Sequence, residues 1–314
     1  MFNKKGIILG VVALLVLTLS VNAGAFWIFG DDDGQEEEKL TVGFAVSTQN
    51  NPFFVDMKKG AQKRAKEMGI ELMVADAQND AAKQLNSIQD LLVKQIDVLV
   101  INPVNGEAVT PAVKSANEQG VPVITVDRSA SGGQVVTHIA SDNVKGGEMA
   151  AEYMAKQLGK EGKVVELEGI PGTSAARDRG KGFNQGMEQY DQVNVIARQP
   201  AGFDRAKGMT VMENILQAHQ EIDAVFAHND GMALGAVEAL KSAGRLDSTM
   251  VVGFDAIDDA LTAIKDGEMN ATIAQQPSLM GEIAVEKAQM IANDKELKDY
   301  YPAKLKLITK EDVK

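Results

Sequence analysis

The residues of this chain that could bind a small polar molecule follow the apolar segments that predict strands. Asp127 and Arg128 follow the segment VPVITV, Asp255 ends TMVVGFD and Gln275 ends ATIAQ. The carboxyl ends of parallel strands meet at one edge of a sheet, where α/β proteins bind their ligands. The candidate site residues at these strand ends are Asn51, Phe53, Phe54, Asn102, Asp127, Arg128, Ser141, Arg177, Phe203, Asn229, Phe254, Asp255 and Gln275.

The side-chain types in this set suit a sugar. Each sugar hydroxyl both donates and accepts a hydrogen bond, while Asp accepts, Arg donates, and Asn or Gln does both. Hydrogen bonds from charged groups are the stronger kind. The C–H faces of a sugar ring need flat apolar surfaces, which Phe provides. The set therefore predicts a pocket that recognises a polyol by its stereochemistry.

Each candidate residue also has an ordinary structural interpretation. Asn102, Asn143 and Asn229 precede helix patterns and suit helix N-caps. The Asp-Arg pair suits a surface ion pair, and the phenylalanines suit core positions. A glycosidase pair of Asp127 and Asp255 is disfavoured, because neighbouring Arg and Asn residues would keep both ionised and a general acid needs a raised pKa. The set favours a site because all its members fall at one sheet edge.

Short apolar segments alternate with amphipathic ones from Leu40 onward, which predicts buried parallel strands separated by helices. A helix pattern runs from Pro52 to Gly69. The predicted strands are 40–46, 70–75, 97–102, 121–127 and 135–141, then 163–169, 194–199, 223–229, 249–255 and 271–275. The pattern predicts an α/β protein with two similar halves of roughly 100–140 residues each.

The composition excludes several classes of function. A net charge of -12 over 314 residues disfavours nucleic acid as the partner. The chain has no Cys, so it has no disulfides, thiolate metal sites or Cys nucleophile, and its 3 His residues lack metal-ligand spacing. Neither a phosphate-binding loop nor a nucleophile-elbow motif is present. We therefore expect no cofactor, no metal and no enzymatic activity.

The N-terminus predicts export. Residues 1–25 have the layout of a secretory signal peptide, with a short positive region, an uncharged run at 6–21 and small residues at Ala23 and Ala25. Cleavage is expected after Ala25 or Ala23, and an uncleaved membrane anchor is the alternative. Residues 26–39 predict an acidic linker. The spacing of their acidic residues does not fit a calcium-binding loop. Without a Cys to carry lipid, the exported protein is expected in a periplasm.

A series of segments between Leu40 and the C-terminus is similar to a known family. The segments are STQNNPFF, INPVN, VITVDR, HIASDN, GIPGTSAARDRG, FDRAKGM, VFAHNDGMALGA, VVGFDA and ATIAQQP. In this order they resemble the periplasmic D-ribose-binding protein family. The resemblance covers nearly all of the chain after the leader and includes sugar-contact loops as well as core strands.

The resemblance implies two Rossmann-like lobes with parallel sheets joined by a three-strand hinge, the type I periplasmic binding protein fold. The chain would cross between the lobes near Ser141, Gln275 and Lys304. The implied N-terminal lobe comprises 40–141 and 276–304. The implied C-terminal lobe comprises 142–275 and 305–314.

The resemblance also assigns roles to the candidate site residues. Phe54 and Phe203 would sandwich the sugar ring. The residues that would bond the hydroxyls are Asp127, Arg128, Arg177, Asn229, Asp255 and Gln275. The remaining implied contacts are Asn51, Phe53, Asn102, Ser141 and Phe254. The chain departs from the family at His228 and Glu168, where Gln is expected, and in the turn GFDAIDD.

The function that the resemblance implies is the substrate-binding component of an ABC sugar importer. It would bind D-ribose between the lobes, close by hinge motion and deliver the sugar to a membrane permease, as a monomer, with a chemoreceptor as a second candidate partner. Allose, galactose or a furanone signal are alternative ligands. A sugar-responsive regulator would need a DNA-binding motif where the leader and acidic linker stand. A sugar-processing enzyme would need a nucleophile or metal that the sequence lacks.

Overall fold

The computed structural model describes residues 39–313, which form two lobes that each contain a six-stranded sheet. The signal peptide predicted at 1–25 and all but the last residue of the linker predicted at 26–39 lie outside the described residues. Within the described part of the chain, no helix is long and apolar enough to cross a membrane.

Lobe 1 is built first along the chain. Its elements before the first crossing are β1 (Thr41–Val46), α1 (Pro52–Met68), β2 (Glu71–Asp76), α2 (Ala81–Val93), β3 (Val98–Ile101), α3 (Thr110–Glu118), β4 (Val123–Val126) and β5 (Thr137–Ser141).

Lobe 2 follows. Its elements are α4 (Asn143–Gln157), β6 (Glu161–Glu168), α5 (Ser174–Met187), β7 (Gln192–Pro200), α6 (Arg205–Ala218), β8 (Ala224–Ala227), α7 (Asp230–Ser242), a 3₁₀ turn (Leu246–Ser248), β9 (Met250–Asp255), α8 (Asp258–Asp266) and β10 (Ala271–Ala274). The chain then returns to lobe 1 as α9 (Pro277–Ala292) and β11 (Tyr300–Ala303), and ends in lobe 2 as β12 (Lys306–Thr309).

The two sheets have the same strand order. Lobe 1 runs β11-β5-β4-β3-β1-β2 and lobe 2 runs β12-β10-β9-β8-β6-β7. All neighbours are parallel except β12, which is antiparallel to β10. The chain passes from one sheet to the other in three places: between β5 and α4, between β10 and α9, and between β11 and β12.

Strand β1 shows why the strand segments are apolar at almost every position. Val42, Phe44 and Val46 pack with α1 and α9 on one face of the sheet. Ala45 packs on the other face with residues of α2 and α3. Because helices cover both faces, neither set of alternating side chains reaches water, and the strand loses the apolar–polar alternation of a half-exposed strand.

The strand order places the loops that build a site. In each lobe the order reverses beside the first strand, between β1 and β3 in lobe 1 and between β6 and β8 in lobe 2. Loops at the carboxyl ends of strands on either side of such a reversal leave a crevice, where doubly wound sheets bind ligands. Residues of both crevices line one cavity between the lobes.

Candidate functional site

A small cavity lies between the two lobes. Two direct contacts close the cleft beside it: the backbone N–H of Ser129 donates to Ser174 Oγ (2.9 Å), and that of Gly106 donates to the carbonyl of Gly172 (3.2 Å). The residues that line the cavity are Asn51, Phe53, Phe54, Asp127, Arg128, Ala175, Arg179, Phe203, Asn229 and Asp255.

Four buried charges dominate the cavity. Asp127, Arg128, Arg179 and Asp255 are each less than a tenth exposed. Arg128 Nε lies 3.7 Å from Asp127 Oδ2, and Arg179 Nη1 lies 3.6 Å from Asp255 Oδ1. These separations are longer than good hydrogen bonds. Within each pair the two charges therefore neutralise one another, and both groups keep hydrogen-bonding capacity for a ligand.

Asp127 is held in place by Asn102. The Asn102 amide donates to Asp127 Oδ2 (3.3 Å) and to the carbonyl of Val126 (3.1 Å), and its oxygen accepts from the N–H of Ser47. Asp127 has a φ of 61°, a left-handed conformation that Asp adopts more readily than most residues. Asn102 therefore orients the carboxylate and does not itself line the cavity.

Arg128 connects the aromatic surfaces of the two lobes. Its guanidinium carbon lies 5.0 Å from the ring centroid of Phe54 in lobe 1 and 5.2 Å from that of Phe203 in lobe 2. Its Nη1 donates to the carbonyl of Pro103 (3.2 Å). Burial lowers the pKa of Arg128 to about 10, so the group stays a cation at neutral pH. Both rings therefore face one charged, planar donor.

Arg179 is the second buried donor, and it was not among the site residues predicted from the sequence. Its Nε donates to Asn143 Oδ1 (2.8 Å) and its Nη1 to the carbonyl of His228 (2.6 Å). Its guanidinium carbon lies 3.9 Å from the ring centroid of Phe254, which is fully buried beneath it. Burial lowers the pKa of Arg179, and Asp255 acts against that shift. Asn143 and Phe254 thus position Arg179.

Arg177 does not reach the cavity, contrary to the prediction. Its side chain is 64% exposed and pairs with Asp178 (2.9 Å), whereas the Arg179 side chain is 4% exposed. Two residues along a helix is a rotation of about 200°, so Arg177 and Arg179 lie on opposite faces of α5. The i, i+4 spacing from Arg179 to the buried Phe183 was the signal that could have identified the correct arginine.

Asp255 lies at the end of β9, where the backbone is strained. Its φ is 121°, outside the range that residues other than Gly usually adopt. Gln275 Nε2 donates to Asp255 Oδ1 (2.7 Å). Burial raises the pKa of Asp255 to about 7, although Arg179 and the Gln275 hydrogen bond act to lower it. The expectation that neighbouring Arg and Asn residues keep Asp255 ionised is therefore not met, because the effect of burial on its pKa outweighs theirs.

Aromatic rings supply the apolar walls. Phe53 and Phe54 meet edge to face with their centroids 5.2 Å apart. The Phe203 ring rests directly on Gly169, where a Cβ would overlap it. Because Gly169 has no side chain, it leaves the space that the Phe203 ring needs to line the cavity opposite Phe54.

Two of the predicted asparagines both cap a helix and line the cavity. Asn51 Oδ1 accepts from the N–H of Phe53 at the start of α1, and Asn229 Oδ1 accepts from the N–H of Met232 at the start of α7, each at 3.0 Å. Each cap uses the amide oxygen, so the NH₂ group stays available to a ligand. The N-cap interpretation fails for Asn143, because Asp142 caps α4.

The remaining predicted residues lie behind the cavity wall. Gln275 supports Asp255, and Ser141 is buried at the end of β5 without lining the cavity. Within the described residues, four buried polar atoms in this region have no hydrogen-bond partner: Asp127 Oδ1, Arg128 Nε, Ser141 Oγ and Gln275 Oε1. An unpaired buried polar atom is costly, and of these residues Asp127 and Arg128 line the cavity, so their two atoms favour a ligand with hydroxyls.

His228, which the sequence analysis singled out, lies beneath the site. It is fully buried, its Nε2 lies 2.9 Å from Glu166 Oε1, and its Nδ1 accepts from the N–H of Gly169 (3.3 Å). Because a backbone N–H only donates, the hydrogen of a neutral ring is placed on Nε2, facing Glu166. Glu166 is the acidic partner of His228.

Metal-binding clusters are absent from residues 39–313: no group of three or more His, Asp or Glu side chains there could hold an ion. The site offers charged donors and acceptors between aromatic walls, which can hold a neutral polyol without any covalent step.

Residues 42–296 match the model of the periplasmic binding protein domain. The chain belongs to this family. Relatives from several bacteria are named Ribose import binding protein RbsB. That of Bacillus subtilis (strain 168) is 50% identical over 300 residues, covering 96% of this chain and 97% of the relative. That of Escherichia coli (strain K12) is 52% identical over 273 residues, covering 87% and 92%. The resemblance inferred from the sequence segments is thereby confirmed.

Solved structures of periplasmic binding proteins share the two-lobed fold. The Caulobacter myo-inositol binding protein bound to myo-inositol superimposes with a TM-score of 0.84 at 34% identity, covering 87% of this chain and 94% of that chain. An ABC transporter solute binding protein from Actinobacillus succinogenes 130z with bound D-allose gives 0.83 at 30% identity, covering 88% and 99%. The predicted fold class is confirmed, and the relatives are named for binding and import, not for catalysis.

Proposed function

We propose that this chain is the substrate-binding component of an ABC sugar importer and that it binds D-ribose in the cavity between its lobes. The observation that carries the proposal is the set of four buried charged residues that line the same cavity as Phe54 and Phe203, with unpaired hydrogen-bonding atoms on Asp127 and Arg128. The names of the relatives with about half their residues identical support ribose as the ligand.

The proposed mechanism is closure around the sugar. The ligand contacts residues of both lobes, so it binds the closed form more tightly than an open form and shifts the population toward closure. The contacts of Ser129 with Ser174 and of Gly106 with Gly172 form in the closed state. The three connections between the sheets then act as the hinge, and the closed surface docks on the permease.

We propose the periplasm as the location of this function. The signal peptide is cleaved and the protein works in the periplasm as a monomer, because burial in a subunit interface would restrict the hinge. The permease is the main partner, and a chemoreceptor that binds the closed form is a second one.

Isothermal calorimetry with D-ribose, D-allose, D-galactose, D-glucose and D-xylose tests the proposal. The protein is unfolded and refolded first to remove sugar bound during expression. We expect one-to-one binding of ribose, with the hexoses about a hundredfold weaker, about 2.7 kcal/mol. Tight binding of allose or galactose in place of ribose would contradict the assigned ligand. No heat with any sugar would contradict the sugar-binding function itself.

Removing the aromatic wall of lobe 2 should weaken binding without unfolding the protein. Phe203→Ala removes a stacking surface, and we expect about a 30-fold loss of ribose affinity, about 2 kcal/mol. Phe203→Leu keeps apolar volume but not the flat face, so its loss should be intermediate. Calorimetry measures both, and parent-like affinity of Phe203→Ala would show that the ring does not contact the sugar.

Ribose affinity should fall on acidification through neutral pH. Asp255 accepts from a sugar hydroxyl when ionised, and protonation below its pKa of about 7 removes that charge beside Arg179. If the protonated form binds poorly, affinity drops roughly 20-fold between about pH 7.5 and about pH 5.5. Calorimetry across this range measures the slope. Asp255→Asn should bind more weakly with a nearly flat profile, and an equally steep profile in this variant would assign the titration to another group.

A further inference from the structure

A fully buried carboxyl that the proposed binding mechanism does not use lies behind Asp255. Asp230 is the first residue of α7 and is completely buried. Its Oδ1 accepts from Thr272 Oγ1 (2.7 Å) and its Oδ2 accepts from the backbone N–H of Ile257 (2.9 Å). Asp230 therefore joins α7 to β10 and to the turn after β9.

That turn contains the strained backbone of the site. Asp255 has a φ of 121° and Ala256 a φ of 60°, two consecutive positive values in residues that carry side chains. Such conformations are costly for residues with side chains and persist only when the surroundings hold them. The strain therefore requires specific contacts on the residues of the turn.

Thr272 and Asp230 supply those contacts. Thr272 Oγ1 accepts from the N–H of Ala256 (3.3 Å) and donates its hydrogen to Asp230, while Asp230 accepts from the next N–H, that of Ile257. Both side chains are fully buried. The two successive backbone N–H groups that follow Asp255 thus each donate to a side chain of this pair. Among the described residues they have no other side-chain acceptor.

The packing around the pair leaves it little freedom. Gly253 lies opposite Thr272 in the sheet, and a Cβ at Gly253 would overlap Asp230 Oδ1. The carboxyl therefore lies against the strand β9 that ends in Asp255. The charged and polar groups that face Asp255 from the other elements are Arg179, Asp127, Arg128, Gln275 and the Asp230 carboxyl itself, whose charge acts on that of Asp255.

We propose that Asp230 and Thr272 are positioning residues, which hold the strained turn at Asp255 and Ala256 and thereby aim the Asp255 carboxyl at the ligand. The pair does not touch the ligand. Its consequence for binding rests on the proposed function, whereas its effect on Asp255 exists without any ligand.

The test compares Thr272→Val, which has the same shape but no hydroxyl, with Thr272→Ser, which keeps the hydroxyl. Two measurements are made on each: the carbon-13 carboxyl titration of Asp255 in ligand-free protein, and ribose calorimetry. In Thr272→Val the turn loosens and Asp255 becomes better solvated, so its titration midpoint should fall by about one pH unit. Ribose affinity should drop about tenfold. Thr272→Ser should match the parent in both.

An unchanged Asp255 midpoint in Thr272→Val would overturn the proposal, as would equal losses in the Ser and Val variants, which would assign the effect to the lost methyl group. If Thr272→Val does not fold, Thr272→Ala replaces it. It differs from Thr272→Ser only in the hydroxyl and keeps the Asp230 carboxyl, so the midpoint and the ribose affinity should fall in the Ala variant and not in the Ser variant. If the parent binds no ribose, the proposed function fails, and the carboxyl titration still decides this inference.

Discussion

Replacing Arg179 with Met should reduce ribose affinity roughly 100-fold or more, about 3 kcal/mol. Arg179 is the buried donor of lobe 2, and its guanidinium is already oriented by Asn143 and by the carbonyl of His228. The Met side chain fills much of the same space over Phe254 but donates no hydrogen bond. Sugar oxygens that face it in the closed cleft would therefore stay buried and unpaired. Calorimetry with D-ribose measures the loss.

Arg177→Met is the matched control for this prediction. Arg177 lies on the exposed face of the same helix and pairs with Asp178 at the surface, where such pairs contribute little. We expect the control to bind ribose within about twofold of the parent. Thermal unfolding of both variants shows whether the fold is intact. Equal affinity in Arg179→Met and the parent, or a large loss in Arg177→Met, would contradict the assignment of Arg179.

Replacing Asp127 with Asn should cost at least about 30-fold in ribose affinity, about 2 kcal/mol. Asp127 Oδ1 is buried without a partner among the described residues and can accept from a sugar hydroxyl. Asn presents an uncharged group and leaves the Arg128 cation without its nearest counter-charge. Asn tolerates the left-handed backbone at this position, so the variant should fold.

Asp90→Asn is the control for Asp127, because Asp90 is exposed on α2 and does not line the cavity. Calorimetry on both variants at one pH separates a local loss from a general effect of net charge. The expected result is parent-like binding for Asp90→Asn and weak binding for Asp127→Asn. Similar affinities in the two variants would show that Asp127 does not contact the sugar.

Most of the fold could be predicted because its strands are buried on both faces. The segment 249–255 predicted one strand and the structure has β9 at Met250–Asp255; the helix predicted from Pro52 to Gly69 is α1. Strands β11 and β12 were not predicted from their residues. Both are short edge strands, and β11 contains Pro302, which disfavours strands except at an edge. Their pairing depends on the rest of each sheet.

The site was less predictable than the fold because side-chain direction decides it. The strand ends identified Asp127, Arg128 and Asp255, because these residues lie directly at the sheet edge. The strand ends led to the correct helix, α5, but to Arg177 in place of Arg179, because only the direction of each side chain separates the two. The contacts of Asp230 could not be predicted either, because its partners Thr272 and Ile257 come from distant segments. Such contacts exist only after the sheet has assembled.

A crystal structure of the chain grown with D-ribose tests the central claim most directly. We predict one sugar ring in the cavity between Phe54 and Phe203, with hydroxyls bonded to Asp127 Oδ1, Arg128 Nε and Arg179, and with Arg177 at the surface. Ribose bound elsewhere, or a cavity that holds no sugar at saturating ribose, would contradict the account.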